Sequence, residues 1–220
     1  MYPIIKRVID FIFALIGLII LSPVFLVLII AIKVDSKGPV LFKQKRVGIN
    51  KTYFNILKIR TMRIDTPKDI PTHLLKNPEQ YITRVGRFLR KTSLDELPQI
   101  VNILIGQMSV IGPRPALWNQ VDLIEERDKY IGRSGLTANN VRPGLTGWAQ
   151  INGRDALDIV DKARYDGEYV EKMNFSFDCK CFFGTIGFVL SHKGVVEGGT
   201  ASLMHKEAAA TQDSANHYKN

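Results

Sequence analysis

The N-terminal region of the chain contains one long apolar run. From Phe11 to Ile32 there are 22 residues without a charge, and all but Gly17, Ser22 and Pro23 are apolar. A helix of that length reaches about 33 Å, at about 1.5 Å per residue, which is enough to cross a hydrocarbon core. The run is longer than the core of a signal peptide, and no small-residue cleavage site follows it. We therefore expect a membrane element that stays in the mature protein.

Ser22 and Pro23 lie at the centre of this run. Proline removes one helix hydrogen bond and crowds the preceding turn, so we expect a kink, with the serine hydroxyl as a partner for a freed carbonyl. Two topologies fit: a kinked helix that spans the bilayer, or a re-entrant helix-break-helix that enters and leaves on one side. Residues 1–60 contain ten Lys or Arg against Asp10 and Asp35, on both flanks of the run. By the positive-inside rule this favours re-entry, with both ends cytoplasmic and the basic residues on anionic lipid.

The rest of the chain predicts a mixed α/β, mostly helical domain. Residues 39–61 alternate apolar and polar positions around Gly48–Lys51, which predicts a β-hairpin. Residues 84–91 predict a basic amphipathic helix suited to a lipid headgroup surface. Further helices are predicted at 95–104, 116–131 and 156–173, with a polar loop at 65–80. Residues 178–191 contain a short apolar stretch, Phe182–Leu190, which is too short to span and could lie in the interface or close the core. We divide the chain into a membrane element at 1–36, a cytoplasmic domain at 37–198 and a polar, mobile tail at 199–220.

Composition excludes several classes of protein. The residues after position 60 are nearly balanced in charge, and no zinc-finger, RNP or helix-turn-helix pattern occurs, so no nucleic-acid partner is expected. Cys179 and Cys181 are too close for a comfortable disulfide and indicate a reduced compartment. There is no P-loop, dinucleotide fingerprint, Asp-x-Asp pair or serine nucleophile elbow, and the four histidines are scattered. Any chemistry must come from carboxylates and arginines.

The densest polar constellation comprises residues 90–99 and 111–115. Asp95 and Glu96 are adjacent, and Ser93 with Glu96 has capping-box spacing, so one interpretation is only a helix N-terminus. The other is catalytic: one carboxylate accepts a phosphoryl group while its neighbour holds Mg²⁺, which prefers one or two carboxylates plus phosphate oxygens. Arg114 lies between two prolines that would fix its backbone as an anion clamp.

Ordered sequence blocks extend this constellation over nearly the whole chain. They include Lys6–Asp10, Ser22-Pro23, Gln44–Gly48, Lys58–Met62, Ser93–Gln99, Met108–Pro115, Arg142–Gln150 and Asn152–Arg154. With these blocks the chain resembles the small monotopic phosphoglycosyl transferases, bacterial sugar transferases that initiate glycoconjugate assembly on a membrane lipid.

The resemblance implies transfer of a sugar-1-phosphate from a UDP-sugar to polyprenyl (undecaprenyl) phosphate, with release of UMP, as the initiating step of capsule, exopolysaccharide, O-antigen or glycoprotein glycan assembly. It implies that Asp95 is the nucleophile of a covalent phosphosugar intermediate and that Glu96 holds Mg²⁺. It also implies a re-entrant membrane element and a catalytic domain on the cytoplasmic face of the inner membrane. The substrate-binding positions that it implies are Lys58, Arg90, Arg114, Arg154 and Asp178.

Alternatives stay open for several residues and for the function. Arg142 and Arg154 could form structural salt bridges, Asp178 could cap a helix, and Trp148 is expected in the core. Two other functions use the same residues: a membrane-attached metal-dependent phosphohydrolase that passes the intermediate to water, and a non-catalytic membrane scaffold. The sequence specifies neither the sugar nor an oligomeric state.

Overall fold

The structure is a computed structural model that describes residues 2–66, 78–153 and 156–190. Most of the predicted 65–80 loop, Arg154 and the 199–220 tail lie outside these residues. The helices are α1 (Tyr2–Asp35), α2 (Arg84–Thr92), α3 (Gln99–Leu104), α4 (Val121–Asp128), α5 (Trp148–Ile151), α6 (Ile159–Lys172) and α7 (Phe175–Leu190). The strands are β1 (Leu41–Val47), β2 (Tyr53–Ile59), β3 (Ser109–Ile111) and β4 (Gly144–Thr146). A mixed, mostly helical fold is confirmed.

The apolar N-terminal run forms one continuous helix, α1, of 34 residues. The predicted division into two helices at Ser22 and Pro23 is therefore corrected, because the helix continues through the proline. Pro23 cannot donate to the carbonyl of Ile19, four residues earlier. The Ser22 hydroxyl donates to that carbonyl instead, at 2.8 Å, which satisfies the group that the proline leaves unpaired.

Both ends of α1 pack against the rest of the protein, and most of the residues between them are exposed. Ala14 belongs to a buried cluster with Phe54 of β2 and Ile103 of α3. Ile32, near the other end, packs with Leu89 of α2 in a second cluster. Between them the helix is largely exposed, and only 11% of its most apolar 18-residue window is buried. It is long and apolar enough to cross a membrane.

The predicted β-hairpin is confirmed. Strands β1 and β2 are antiparallel, with Leu41 opposite Ile59 and Val47 opposite Tyr53. A 3₁₀ turn at Ile49–Lys51 joins them. Side chains of β2 alternate between exposed and buried from Tyr53 to Ile56, which places one face of the hairpin on the core. Lys58, near the end of β2, reaches Glu96 of the polar constellation.

The other predicted helices are present with altered boundaries. The amphipathic helix at 84–91 is α2, and the 156–173 segment contains α6. The apolar stretch Phe182–Leu190, for which no helix was predicted, lies in α7. Only the middle of the 116–131 segment is helical, as α4. Strands β3 and β4 form a short parallel pair, with Ser109 opposite Gly144 and Ile111 opposite Thr146.

Candidate active site

The turn that carries the adjacent carboxylates is not the predicted helix N-terminus. Ser93 ends α2 in the left-handed conformation, with φ 56° and ψ 16°, and its side chain makes no capping hydrogen bond. Asp95 and Glu96 lie in a 3₁₀ turn, and α3 begins only at Gln99. The predicted capping box is therefore wrong, because an N-cap residue needs an extended backbone. A left-handed serine costs about 1–2 kcal/mol, so the turn is held by its surroundings.

Glu96 is the centre of a buried ionic cluster. Its side chain is buried, and Oε1 accepts hydrogen bonds from Lys58 Nζ at 2.9 Å and from Arg114 Nη2 at 2.8 Å. Lys58 comes from β2, and Arg114 follows β3. The fold therefore brings Lys58 and Arg114, which are 38 and 18 residues away from Glu96 in the sequence, to the same carboxylate.

Asp95 lies beside this cluster and is half-buried. Burial raises the pKa of its carboxyl; the positive charges of Lys58, Arg90 and Arg114 oppose that rise, and the Glu96 charge adds to it. The Asp95 carboxylate makes no hydrogen bond to another residue in the described ranges. Such a carboxylate, poorly solvated and faced by cations that can bind an anionic substrate, has the environment of a nucleophile.

Lys58 and Arg90 are, with Arg114, the cations that lie near Asp95. Burial is the main reason that the pKa of Lys58 is lowered, and Glu96 only partly compensates. Arg90, in the last turn of α2, donates through Nε to the Thr61 hydroxyl at 2.9 Å. The positive charge of Arg90 also acts on the Asp95 carboxyl and opposes the rise in its pKa that burial causes. The structure thus brings together Asp95 and the cations predicted at 58, 90 and 114.

The segment around Arg114 requires close backbone approach. A Cβ on Gly112 would lie 2.7 Å from the Arg142 carbonyl, and one on Gly144 would lie 2.1 Å from the Gly112 nitrogen. Only glycine fits these two positions. The approach lets Gly144 N donate to the carbonyl of Pro113 at 2.8 Å, which fixes the backbone immediately before Arg114.

Comparison with known proteins identifies the family of this site. The model of the family described as bacterial sugar transferase matches residues 1–192. The chain belongs to that family. The resemblance stated from the sequence blocks is thereby confirmed at the level of the family.

Three relatives illustrate the range of the family. A protein of Escherichia coli (strain K12), named UDP-glucose:undecaprenyl-phosphate glucose-1-phosphate transferase, is 38% identical over 191 residues, or 84% of this chain and 40% of that protein. The Bacillus subtilis (strain 168) protein named uncharacterized sugar transferase EpsL is 37% identical over 192 residues, covering 87% and 90%. The Rhizobium meliloti (strain 1021) exopolysaccharide production protein ExoY is 34% identical over 203 residues, covering 86% and 87%. This chain therefore spans well under half of the first relative and most of the other two.

Asp178, predicted to bind substrate, is bonded to other parts of the sugar transferase fold. Its carboxylate accepts from the Tyr2 hydroxyl, from Lys6 Nζ at 2.6 Å and from the Tyr169 hydroxyl at 2.7 Å. None of these partners belongs to the Glu96 cluster. The helix-cap alternative is not supported either, because the Asn174 side chain caps the first turn of α7. The contacts of Asp178 tie the N-terminus of α1 to the domain.

The basic residues before the membrane run also bond to protein instead of standing free for lipid. Arg7 donates to the carbonyls of Ile103 and Leu104, at 2.6 and 2.8 Å. Asp10, to which the sequence patterns assigned no role of its own, is buried and accepts from the Ser109 hydroxyl at 2.6 Å. The sequence did contain a signal for this contact. Asp10 is a charged residue at the edge of an apolar helix, and a buried Asp requires a partner.

Arg142 and Trp148 have structural contacts. Arg142 donates to the Gly106 carbonyl at 3.0 Å, and no salt bridge to a carboxylate of the described residues is found for it. Trp148 is half-buried against Phe177 and donates to Glu168 at 2.8 Å, so its expected packing role is confirmed. Arg154 lies outside the described residues.

A divalent metal fits the chemistry of the carboxylate pair. No group of three or more His, Cys, Asp or Glu side chains suitable for a metal occurs among the described residues. Mg²⁺ does not need such a group, because it commonly takes one or two carboxylates and completes its shell with water and substrate phosphate. Asp95 and Glu96 offer that number of carboxylates next to the cations Lys58, Arg90 and Arg114.

Proposed function

We propose that this chain transfers a sugar-1-phosphate from a UDP-sugar to polyprenyl phosphate and releases UMP. The observation that carries the proposal is the Glu96 cluster with Asp95 beside it: a carboxylate nucleophile faced by Lys58, Arg90 and Arg114. The E. coli relative is named for glucose-1-phosphate transfer to undecaprenyl phosphate, which supports the acceptor and makes UDP-glucose the first donor to test. ExoY's name supports a place in exopolysaccharide production.

Asp95 acts as the nucleophile in this scheme. One of its oxygens attacks the β-phosphorus of the UDP-sugar, and the bond between that phosphorus and the bridging oxygen breaks, so that UMP leaves with the bond's electron pair. An oxygen of polyprenyl phosphate then attacks the same phosphorus and displaces the Asp95 carboxylate. The product is a polyprenyl diphosphate sugar, and the enzyme is regenerated. Splitting the transfer in this way lets two phosphate substrates use one site in turn.

Cations of the chain bind and orient the phosphates. Arg114 and Arg90 present planar guanidinium groups suited to paired phosphate oxygens, and Lys58 adds a point charge. Glu96 holds Lys58 and Arg114 in place and would also hold Mg²⁺, with Asp95 adjacent. A Mg²⁺ ion held by Glu96 and Asp95 would supply positive charge to offset that of the diphosphate.

We also propose that α1 is re-entrant and that the domain lies on the cytoplasmic face of the inner membrane. Arg7 and Asp10 at one end of α1 bond to α3 and β3, and Asp35 at the other end accepts from the Val85 amide of α2 at 3.2 Å. A helix with its two ends on opposite sides of a bilayer could not make both sets of contacts with one domain. The exposed apolar middle is then the part that enters lipid.

The test is a set of assays on the full chain in membranes or detergent. UMP release from a panel of UDP-sugars, with and without undecaprenyl phosphate, is measured together with labelling of the protein by a UDP-sugar carrying ³²P at the β-phosphorus. We expect acceptor-dependent turnover and a labelled adduct that is absent in Asp95→Asn. UMP release independent of acceptor would indicate a phosphohydrolase, and no release with any donor would leave only the scaffold. Full activity of Asp95→Asn would remove Asp95 from the mechanism.

A further inference from the structure

The carbonyls of the clamp segment are bound by side chains from distant elements. Pro113 and Pro115 have no backbone N–H, so this segment is anchored mainly through its carbonyls. The Arg114 carbonyl accepts from Arg127 Nη2 at 2.8 Å, and the Pro115 carbonyl accepts from Arg46 Nη1 at 2.9 Å. The position of the Arg114 side chain therefore depends on two other arginines.

Arg127 is itself held by a buried carboxylate. Its Nε and Nη2 donate to Asp166 Oδ2 at 2.9 and 2.6 Å, and the two side chains are 5% and 3% exposed. Arg127 belongs to α4 and Asp166 to α6. A buried ion pair pays a large desolvation cost, and an apolar pair of similar volume is often at least as stable. Stability alone therefore gives a weak reason for this pair, whereas the bond to the Arg114 carbonyl gives a specific one.

We propose that Arg127 and Asp166 form a positioning pair for the phosphate-binding Arg114. Asp166 fixes the Arg127 guanidinium, which shares Nη2 between that carboxylate and the Arg114 carbonyl. Arg127 does not touch substrate; it sets the backbone from which Arg114 reaches Glu96 and the phosphates. The inference rests on the proposed role of Arg114. Displacement of a clamp by about 1 Å can lower a rate on the order of 10²-fold.

The test is a double-mutant cycle on the full chain. Arg127→Lys keeps a charge for Asp166 but lacks the planar fork that serves both acceptors. As a single substitution, Arg127→Lys is expected to lower kcat/KM on the order of 10²-fold. In a protein that already carries Arg114→Ala, the same substitution is expected to lower kcat/KM by less than about threefold, because its effect passes through Arg114. The dissociation constant for UDP-sugar is measured in the same four proteins, so that the cycle can be closed where turnover is very low.

A matched control removes another buried polar side chain near the end of α4. Asn139 is buried and donates to the Ile124 carbonyl and to Asp128, each at 2.8 Å, without contacting Arg114. Asn139→Ala is expected to change kcat/KM by the same factor in both backgrounds. Asp166→Asn, which keeps the side-chain shape, replaces Arg127→Lys if the latter does not fold.

The outcomes separate this inference from the proposed function. An equal loss from Arg127→Lys with and without Arg114 would overturn the positioning role and leave a structural one. If Arg114→Ala changes neither kcat/KM nor UDP-sugar affinity, the proposed phosphate role of Arg114 is wrong, and the positioning inference is wrong with it. A loss confined to the Arg114-containing background establishes the coupling.

Discussion

Asp95 provides a prediction in which activity and stability change in opposite directions. Burial raises the pKa of its carboxyl, so the ionised form is disfavoured in the folded state relative to the unfolded chain, where the pKa is about 3.9. For an acid with a raised folded pKa, the cost to folding is absent below the unfolded pKa. It grows as the pH rises toward the folded pKa and is complete above it. At neutral pH the charged Asp95 therefore destabilises the protein.

Asp95→Asn removes that charge and keeps the shape of the side chain. Single stabilising substitutions commonly add about 0.5–2 kcal/mol to the free energy of unfolding. For a chain of this size, about 2–4 °C in Tm per kcal/mol converts this to a rise of about 1–8 °C. Turnover and the covalent adduct are expected to be lost, because an amide cannot serve as the nucleophile.

The assay is thermal unfolding of the full chain in detergent with EDTA, at pH 7.5 and at pH 4. The rise in Tm is expected at pH 7.5 and should shrink at pH 4, where Asp95 is protonated in a larger share of folded molecules. Asp128→Asn is the matched control: burial tends to raise its pKa, but hydrogen bonds from Lys51, Asn139 and Thr137 outweigh burial and lower it. Asp128→Asn should therefore destabilise the protein at pH 7.5. An Asp95→Asn protein less stable than wild type at pH 7.5, or a gain unchanged at pH 4, would refute the reasoning.

Three further predictions concern the metal, the membrane element and its anchor. Glu96→Gln should shift the Mg²⁺ saturation curve of UMP release to higher metal concentration; reduced activity with an unchanged curve would contradict the metal role. With Ser22 and Pro23 both replaced by Leu, residue 2 should lie on the outer side of the membrane in part of the population, so that a cysteine placed there reacts with an impermeant maleimide. Labelling of the same cysteine with Ser22 and Pro23 intact would rule out re-entry. Asp178→Asn removes the buried carboxylate that pairs with Lys6 and should lower the free energy of unfolding by about 3–5 kcal/mol. It should also speed amide hydrogen exchange in the first turns of α1, and unchanged exchange would show that the anchor lies elsewhere.

The sequence predicted the β-hairpin and the cations at 58, 90 and 114 for two different reasons. The hairpin has period-two alternation on both sides of a turn, which is a local signal. Lys58, Arg90 and Arg114 were implied by ordered blocks that match a family, and the fold does bring them to one turn. Their distances from Glu96 could not come from the sequence, because they depend on how β2, α2 and the segment after β3 meet.

The backbone at Ser93 shows why the capping interpretation failed. Ser-x-x-Glu spacing is compatible with an N-cap, but the same serine also follows a helix, and its conformation is set by how that helix ends. Packing of Leu89 and Leu97 around α1 and β2 fixes that ending, and the sequence near Ser93 contains no sign of it. Arg127 and Asp166 were missed for a related reason: nothing in the local pattern of an exposed-looking amphipathic helix indicates that one of its arginines is buried.

The charges at the start of α1 change how the membrane element should be understood. As a sequence, Lys6, Arg7 and Asp10 resemble a flank that contacts lipid headgroups. In the structure Lys6 binds Asp178, Arg7 caps the carbonyl end of α3, and Asp10 holds β3, the strand that leads into the Arg114 clamp. Each contact would leave a buried polar group unpaired if α1 were absent. The boundary at residue 36 thus separates the apolar and polar parts of the sequence without separating two folding units, because residues of α1 belong to two of the buried clusters of the domain.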